Sequence, residues 1–578
     1  MKYIVHSSSG LLKKLIGGIC IISVGILGWY LVKKPVAIGD QAPLEKSFKL
    51  SFVDDNMRYA QDVWPEIQEV RMLELTGWKG ETLNAQVLIW SDKPIKAIQV
   101  IPTELTGTRG NVLAKEIIGH AFVRYVLTDS YGEGCGEHAI DFNGTYTVPD
   151  PLDNTPASSM PGLSAMPIWI SISLPPNIDA DNYTGFIQVI TDDKKTQLQI
   201  QIKVIDRTLP PPDHWSFDLD LWQHPAAIAR IHQVPLWSTA HYDAMRPYYQ
   251  KLASLGQKCI TTGIIHEPWN HQTFDDYPSL IRWTKHYNDH WSYDYSLFDE
   301  YVSFVLSCGI TGRINCYTMI PWKLSFGYYD EALAKDTFLL AEPGSTAYKK
   351  LWLPMLKDFA QHLKTKGWFD KTSISVDERP LKSMQVAISI LHQADPDWKI
   401  ALAGAYHPEI AHDVYDYSIA SAWMFDSTIL AKRKSEHKPS TFYTCCVEAF
   451  PNGYTFSPPA ESTWLAWYAA AKDFTGYLRW AFNSWTVDPL KDSRFTSWPG
   501  GDTYQIYPGP RSSIRLEKLR EGIQDYEKIQ IILQDNSTSG IQRAEELKNF
   551  LTTINISELK QTKAQDMLQP GKKILNSE

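Results

Sequence analysis

The chain of 578 residues is too long for one ordinary domain and has material for two or three hydrophobic cores. Its formal net charge is -9 with acidic and basic residues interspersed, so it lacks the basic face that nucleic-acid binding requires. Aromatic residues make up 12% of the chain, with 21 Trp and 29 Tyr. Such side chains either fill cores or stack on the apolar faces of sugar rings.

The amino terminus carries an apolar run. Residues 15–32 contain no charged side chain and are flanked by two lysines on each side, and about 18 apolar residues can just span a bilayer. The end of the run lacks the small residues of a signal-peptide cleavage site. A buried core helix is disfavoured because the run has no polar face. We therefore expect a membrane anchor within residues 1–40 and an extracytoplasmic body, or a secreted protein if the segment is cleaved.

The seven cysteines show no pairing pattern. None stands in a Cys-x-x-Cys motif, and Cys20 lies inside the apolar run. The sequence therefore implies no disulfide framework. Cys445 and Cys446 are neighbours in a strand-like stretch, which disfavours a metal site there, and no strong zinc or calcium motif occurs elsewhere. We expect neither a metal nor a cofactor.

Residues 50–208 have the pattern of an all-β domain. Leu198, Ile200, Ile202 and Val204 alternate with polar residues, as in a strand with one buried face. Similar short runs are bounded by turn residues, which predicts a β-sandwich. The proline-rich stretch 209–214 then breaks the periodicity and marks a domain boundary.

Residues 213–534 alternate between strand-like and helical stretches. This alternation favours a (β/α)8 barrel with long loops over an open doubly wound sheet, and no Gly-rich nucleotide loop follows the first strand. Residues 535–578 are polar and helical, and we interpret them as a peripheral tail. The eight candidate strands are 217–222, 259–265, 313–319, 373–376, 399–404, 417–422, 441–447 and 477–482.

Aromatic and polar residues gather where these strands end. The carboxyl ends of barrel strands and their loops form the open face of the fold, so side chains there can line one pocket. For each residue, packing in the core is the alternative. We predict a carbohydrate pocket that includes Trp222, His224, Tyr406, Trp423, Asn483 and Trp485; Trp269, Trp322 and Glu448 also stand near strand ends.

The fourth strand ends on two adjacent carboxylates, Asp377 and Glu378. They could instead cap the next helix and pair with Arg379. As catalysts they would have to act from one side, because neighbouring Cα atoms are only about 3.8 Å apart. Glycosidases with an enzymic nucleophile place two carboxylates across the sugar, whereas adjacent carboxylates suit attack by the sugar's own 2-acetamido group.

This chemistry gives the two carboxylates different roles. Asp377 would accept the acetamide N–H and stabilise the positive charge that develops on an oxazoline-like intermediate. Glu378 would protonate the leaving oxygen and then activate water. Repulsion between the two groups should hold one proton to higher pH, so we expect the pair to titrate as a unit.

In combination, several motifs resemble glycoside hydrolase family 123. The motifs are Asp377-Glu378 after a strand, the segment 476–485, the segment 499–509 and the helix-like segment 513–526; residues 204–210 look like the end of that family's amino-terminal sandwich. The likeness covers roughly residues 70–534. The apolar positions 516, 519 and 523 predict a core-facing stripe on the last helix, with a solvated or ion-paired back.

The resemblance implies a retaining β-N-acetylgalactosaminidase, with glycans of glycolipids or glycoproteins as substrates. It carries Asp377 over as the residue that orients the acetamide and Glu378 as the acid/base, and it adds Trp480 and Asp502 to the pocket. Arg515 and Glu517 could equally be structural. Two alternatives stay open: an N-acetylglucosaminidase or other hexosaminidase of the same fold, and a membrane-tethered glycan-binding protein without catalysis. The sequence does not indicate an oligomeric state.

Overall fold

The computed structural model describes residues 48–132, 134–192 and 194–577. The anchor predicted within residues 1–40 lies outside these residues. Among the residues described, no helix has both the length and the apolar character needed to cross a membrane.

The amino-terminal region consists of two β-sheets. One has the strand order β1-β3-β10-β7-β8, and the other has the order β2-β12-β11-β4-β9, with β5 and β6 attached to it. The strands are β1 (Lys49–Val53), β2 (Met72–Lys79), β3 (Thr82–Ser91), β4 (Ile95–Pro102), β5 (Leu105–Gly107), β6 (Val112–Leu113), β7 (Ile118–Thr128), β8 (Tyr146–Asp153), β9 (Ala157–Met160), β10 (Ser164–Ser173), β11 (Asn182–Thr191) and β12 (Lys195–Thr208).

Apolar side chains from both sheets form one shared core. Leu198, Ile200 and Ile202 of β12 are buried in it, together with Val87 and Ile89 of β3 from the other sheet. The polar residues between the leucine and isoleucines of β12 remain partly exposed or exposed. The alternation in the sequence thus corresponds to one buried face per sheet, which confirms the predicted β-sandwich.

The second half of the chain alternates strands and helices. Its strands are β13 (Asp218–Leu221), β14 (Cys259–Gly263), β15 (Arg282–Lys285), β16 (Trp291–Asp294), β17 (Arg313–Tyr317), β18 (Ser325–Asp330), β19 (Lys335–Leu340), β20 (Thr372–Asp377), β21 (Lys399–Gly404), β22 (Val414–Ala420), β23 (Ser440–Tyr443) and β24 (Gly476–Arg479). The helices are α1 (Pro225–His232), α2 (Thr239–Ala253), α3 (Ser296–Ser307), α4 (Thr346–Lys366), α5 (Leu381–Ala394), α6 (Ser427–Ser435), α7 (Pro459–Ala471), α8 (Ile514–Leu533), α9 (Thr538–Leu551) and α10 (Ala564–Leu575).

Eight of these strands form a nearly closed parallel barrel in the order β13-β24-β23-β22-β21-β20-β17-β14. Each overlaps one of the eight stretches predicted from the sequence. The barrel prediction is therefore confirmed. Between β14 and α4 the chain adds a small sheet of order β16-β15-β18-β19, which was not predicted.

Two glutamines complete the seam between β13 and β14. Backbone pairing there is limited to one bridge, between Leu219 and Gln257. The Gln257 side-chain oxygen accepts a hydrogen bond from the Leu221 N–H at 2.9 Å, and the Gln223 oxygen accepts one from the Thr261 N–H at 2.9 Å. Side-chain amides thus replace ladder hydrogen bonds at the one gap in the cylinder.

Helix α8 lies between the barrel and the sandwich. Leu516, Leu519 and Ile523 enter the core, as the stripe predicts. The opposite face is ion-paired and not solvated: the Lys528 ammonium lies 2.6 Å from the buried Glu81 carboxylate of the sandwich. A buried charge is tolerated only with such a partner, so α8 joins the two halves of the molecule.

The segment predicted as a peripheral tail forms helices α9 and α10. Leu547 and Leu568 are buried in the core that also contains α7 and α8. The Leu575 carbonyl accepts a hydrogen bond from the indole N–H of Trp78 in β2. These helices therefore pack against both the barrel helices and the sandwich.

Candidate active site

A cavity opens at the carboxyl ends of the barrel strands, where the two adjacent carboxylates lie. Both Asp377 and Glu378 line it. The remaining lining residues are Cys135, Trp222, Trp269, Gln272, Trp322, Ala403, Tyr443, Cys445, Cys446, Val447, Leu478, Trp480 and Trp498. The cavity thus combines two acids with several aromatic side chains, which is the composition expected for binding a sugar ring.

Asp377 is the last residue of β20 and is only 7% exposed. The Trp322 indole N–H donates a hydrogen bond to its Oδ2 at 2.8 Å. No group among the described residues makes a hydrogen bond with its Oδ1, and the Arg379 guanidinium is 4.0 Å from that oxygen. Burial raises the pKa of the Asp377 carboxyl to about 6, although Arg379 and the Trp322 hydrogen bond favour the anion.

Glu378 leaves the strand through an unusual backbone turn. Its φ is +34°, in the region that side chains other than glycine rarely adopt. Its N–H donates to the Ala403 carbonyl at 2.7 Å, and the Tyr443 hydroxyl donates to its carboxylate at 2.9 Å. A Cβ on the neighbouring Gly404 would lie 3.2 Å from the Glu378 nitrogen, so glycine allows β21 to approach this closely. The turn brings neighbouring carboxylates into one cavity.

A helix-capping role for Asp377, one part of the alternative interpretation, does not fit this geometry. Helix α5 begins after Pro380, and no side chain caps its amino terminus. Arg379 stacks over the Trp322 ring at 3.9 Å and donates a hydrogen bond to the Asp377 carbonyl. Asp377 is therefore not a helix cap.

Aromatic rings form an apolar wall of the cavity. The ring centres of Trp222 and Trp269 are 5.2 Å apart, and those of Trp222 and Tyr317 are 4.6 Å apart. Trp480 is held by a hydrogen bond from its indole N–H to Asp502, 3.2 Å long. Asp502 itself is fully buried, lies 2.6 Å from the Arg479 guanidinium and does not line the cavity, so its hydrogen-bonded contact with the cavity wall is Trp480.

Three predicted pocket residues are buried beside the cavity without lining it. His224 stacks on Tyr277 at 3.6 Å, and burial lowers its pKa to about 3. The Asn483 side chain accepts from the His224 N–H and donates to the His224 carbonyl, which ties together the loops after β24 and β13. The Trp485 indole donates to the Ile506 carbonyl. These residues support the barrel mouth.

Two further predicted residues lie away from the cavity. Tyr406 packs on Phe425, with ring centres 5.2 Å apart, and Trp423 is 47% exposed. Neither is among the residues that line the cavity.

Arg515 and Glu517 of α8 both take part in ion pairs. Arg515 is buried 2.9 Å from Asp150, and the buried Glu517 lies 3.2 Å from Arg520.

Several lining residues were not assigned to the site from the sequence. Trp269 and Trp322 stand near strand ends, and Tyr443 is the last residue of β23, so strand-end position is the signal that finds them. Gln272 and Trp498 come from long loops, where the indole N–H of Trp498 donates to the Gln272 carbonyl at 2.9 Å. Nothing local in the sequence indicates these two.

One prediction about the cysteines is wrong. Cys135 and Cys446 form a disulfide across 311 residues of sequence. Cys135 lies in the β7–β8 connection of the sandwich, and Cys446 follows β23 of the barrel. This disulfide depends on contact between two segments that are distant in the sequence, and the spacing of the cysteines does not predict that contact.

Within the described residues, three groups lie close enough together to hold a metal ion: Glu267, His271 and Asp276, whose ligand atoms are within 4.8 Å of one another. The Glu267 carboxylate already accepts the backbone N–H groups of His271 and Tyr277. His271 Nδ1 is 2.7 Å from Asp276. The three side chains lie close together because these hydrogen bonds hold the loop, and their proximity is explained without a metal ion.

A parallel barrel that presents adjacent carboxylates in an aromatic cavity defines a carbohydrate-active hydrolase. The comparisons with known families agree. The model of the glycoside hydrolase 123 catalytic domain matches residues 222–532, and that of the glycoside hydrolase 123 N-terminal domain matches residues 52–191. The chain belongs to glycoside hydrolase family 123.

Among solved structures, the chain is similar to a family 123 glycoside hydrolase from Clostridium perfringens, described in work on glycolipid glycan hydrolysis. The TM-score is 0.82 at 25% identity, over 88% of this chain and 92% of that one. Beta-glucuronidase 3 of Bacteroides uniformis matches with a TM-score of 0.29 at 11% identity, over 83% of this chain and 51% of that one, which is too low to carry an argument. No curated protein matches the chain.

Proposed function

We propose that this glycoside hydrolase cleaves β-linked N-acetylgalactosaminides with retention, through attack by the substrate's own 2-acetamido group. The observation that carries the proposal is the free Oδ1 of Asp377 in the cavity, next to Glu378. No other carboxylate occurs among the described residues that line the cavity. An enzymic nucleophile across the sugar is therefore missing from this set, and an acetamide oxygen fills that role.

In the proposed reaction the acetamide N–H of the substrate donates a hydrogen bond to Asp377 Oδ1, which has no hydrogen-bond donor among the described residues. As the acetamide oxygen attacks the anomeric carbon, positive charge develops on the amide, and the buried carboxylate stabilises it in a site with little water. Glu378 donates its proton to the glycosidic oxygen as that bond breaks. It then removes a proton from the water that opens the oxazolinium ring, which restores the starting configuration.

A comparison of chromogenic β-glycosides tests this proposal. We expect kcat/KM on the 2-acetamido galactoside to exceed that on the plain galactoside by at least about 100-fold, because the plain sugar lacks the attacking group. NMR of the first-formed product should show the β-anomer. Equal rates on the two sugars, or an inverted product, would exclude assistance by the substrate.

The same assay with the glucose-configured substrate separates the proposed activity from an N-acetylglucosaminidase, the alternative within the same fold. A purely glycan-binding protein would bind the glycan without turnover. The free Oδ1 of the buried Asp377 beside Glu378 favours an enzyme, because a site for binding alone does not need an acid beside the glycosidic oxygen.

The pH dependence of activity should report Asp377. Because its folded pKa is raised to about 6, the anion that accepts the acetamide N–H is lost as the pH falls through about 6, and kcat/KM should fall with it. Trp322→Phe removes a hydrogen bond to the anion, so the acid limb should move to higher pH. At pH 5 we expect about a fivefold loss of kcat/KM relative to wild type, which corresponds to about 1 kcal/mol for one hydrogen bond.

Trp498→Phe is the matched control for this pH profile. It also removes an indole N–H in the cavity, but that N–H donates to the Gln272 carbonyl and not to Asp377. Its acid limb should coincide with that of the wild type. An unmoved limb in Trp322→Phe, or an equal shift in both variants, would contradict the role given to Asp377.

We further propose that the catalytic region works outside the cytoplasm, tethered by the predicted amino-terminal anchor, on glycans of glycolipids or glycoproteins. The Cys135–Cys446 disulfide supports this placement, because disulfides persist mainly in oxidising compartments. Protease treatment of intact cells that express the full chain tests it: the barrel should be digested while cytoplasmic markers survive.

A further inference from the structure

We propose that a strap from the amino-terminal sandwich builds the subsite for the leaving-group side of the substrate. The strap is the connection between β7 and β8, residues 129–145, of which all but Glu133 are described. This inference rests on the proposed function and adds the part of the molecule that selects the aglycone, the group released with the glycosidic oxygen.

The strap is fastened to the barrel segment that follows β23. The Cys135–Cys446 disulfide is the covalent link. Beside it, the Tyr131 hydroxyl donates to the Val447 carbonyl at 2.7 Å. Gly134 has a φ of +85°, and a Cβ there would lie 2.9 Å from the Cys446 carbonyl oxygen, so only glycine allows the strap to lie this close.

The strap is also fastened to the cavity wall formed by the loops that follow β24. The Gly136 N–H donates to the Ser497 carbonyl at 3.2 Å, and the His138 N–H donates to the Thr496 carbonyl at 2.8 Å. Trp498, which directly follows Ser497, lines the cavity, and its ring centre is 5.4 Å from that of Trp480. The strap therefore bridges two walls of the catalytic cavity.

The contacts of Glu378 place the strap on the side of the proton donor. Glu378 accepts its hydrogen bond from Tyr443, the residue that ends β23, and Cys446 and Val447 follow shortly afterwards. Asp377 is instead held by Trp322, which follows β17. Because the glycosidic oxygen must meet Glu378, the aglycone leaves along the wall formed by the disulfide and Val447.

The chemistry of this wall suits an uncharged aglycone. Asp377 and Glu378 are the only charged residues among the described ones that line the cavity. The disulfide is apolar, and Val447 is 62% exposed, so the wall offers an apolar surface that is open to solvent at its edge. The apolar face of a neutral sugar fits such a surface, whereas an anionic aglycone would meet two carboxylates and no cation.

Two independent variants loosen the strap in the full-length protein. The double variant Cys135→Ser with Cys446→Ser removes the covalent link without leaving an unpaired thiol from it. Gly134→Ala forces the strap away from Cys446. Gly144→Ala is the matched control, because Gly144 lies in the same strap with a φ of +86° but has open space where a Cβ would be.

Each protein is assayed on two substrates with the same terminal N-acetylhexosamine: a β-linked disaccharide with a neutral second sugar, and the β-glycosyl fluoride, whose leaving group is one atom. We expect both loosened variants to lose about tenfold or more in kcat/KM on the disaccharide, because they lose aglycone contacts made in the transition state. On the fluoride they should stay within about twofold of wild type, and Gly144→Ala should match wild type on both.

Equal losses on both substrates would overturn the inference, since the strap would then only support the barrel. Unchanged activity on both would overturn it as well, provided that thiol titration and thermal unfolding show a loosened but folded protein. If the double variant does not fold, the activities of Gly134→Ala on the two substrates test the role of the strap. A wild-type enzyme that cleaves neither substrate would refute the proposed function itself, which is a distinct result.

Discussion

Glu378→Gln is expected to lower kcat by about 10²-fold or more on substrates with poor leaving groups, because the glutamine amide cannot donate a proton to the glycosidic oxygen. The substitution preserves the size of the side chain and keeps an oxygen that can accept the Tyr443 hydrogen bond. Steady-state kinetics on a series of aryl and alkyl glycosides measures the effect. The loss should shrink as the leaving group becomes more acidic, since such a group departs without protonation.

Glu409→Gln is the control for this substitution. Glu409 is an exposed carboxylate that follows β21 at the same end of the barrel and lies outside the cavity. Its replacement should leave the kinetics unchanged. If Glu378→Gln also retained wild-type turnover on alkyl glycosides, Glu378 would not be the proton donor and the proposed mechanism would fail.

Asp377→Asn is expected to lower kcat on 2-acetamido substrates by about 10²- to 10³-fold, the range found when one preorganised group that stabilises transition-state charge is lost. The asparagine can still accept the Trp322 hydrogen bond. It cannot offer an anion to the acetamide N–H, so the attacking oxygen is less nucleophilic and the charge on the amide is not balanced. The same series of aryl and alkyl glycosides measures this loss.

The dependence on the leaving group separates the two carboxylates. In the proposed mechanism Asp377 acts on the attacking acetamide, so its variant should lose activity on every leaving group, including the most acidic. A loss confined to poor leaving groups would mean that Asp377 acts as a second proton donor. Circular dichroism should show that both variants are folded, because neither substitution changes side-chain volume appreciably.

The strand pattern and the position of the two adjacent carboxylates were accessible from local sequence. The segment 372–377 forms β20 and is fully buried. The β-branched Thr372, Ile374 and Val376 lie on one face of the strand and the small Ser373 and Ser375 lie on the other, so both faces can be buried in a barrel. Position at the carboxyl end of that strand was enough to place Asp377 and Glu378 at the open face. The left-handed turn at Glu378 was not accessible, because it depends on the close approach of β21 at Gly404.

The membership of the pocket was only partly accessible. Of the residues predicted for the pocket, Trp222 and Trp480 line the cavity, whereas His224, Asn483 and Trp485 are buried in the packing beside it. All five stand near strand ends. Position along a strand tells where the chain leaves the sheet, but the direction of a loop side chain depends on what neighbouring loops pack against it.

The two-part architecture, the eight barrel strands and the adjacent carboxylates could be predicted from the amino-acid sequence, because each depends on a run of consecutive residues whose periodicity or order has a local physical cause. The contact between the sandwich and the cavity is visible only in the folded molecule. The Cys135–Cys446 disulfide joins residues that are 311 positions apart, and the hydrogen bonds from the strap to the barrel join residues at least as distant. Such contacts form when two folded surfaces meet, so they cannot be predicted from the local pattern of residues along the chain.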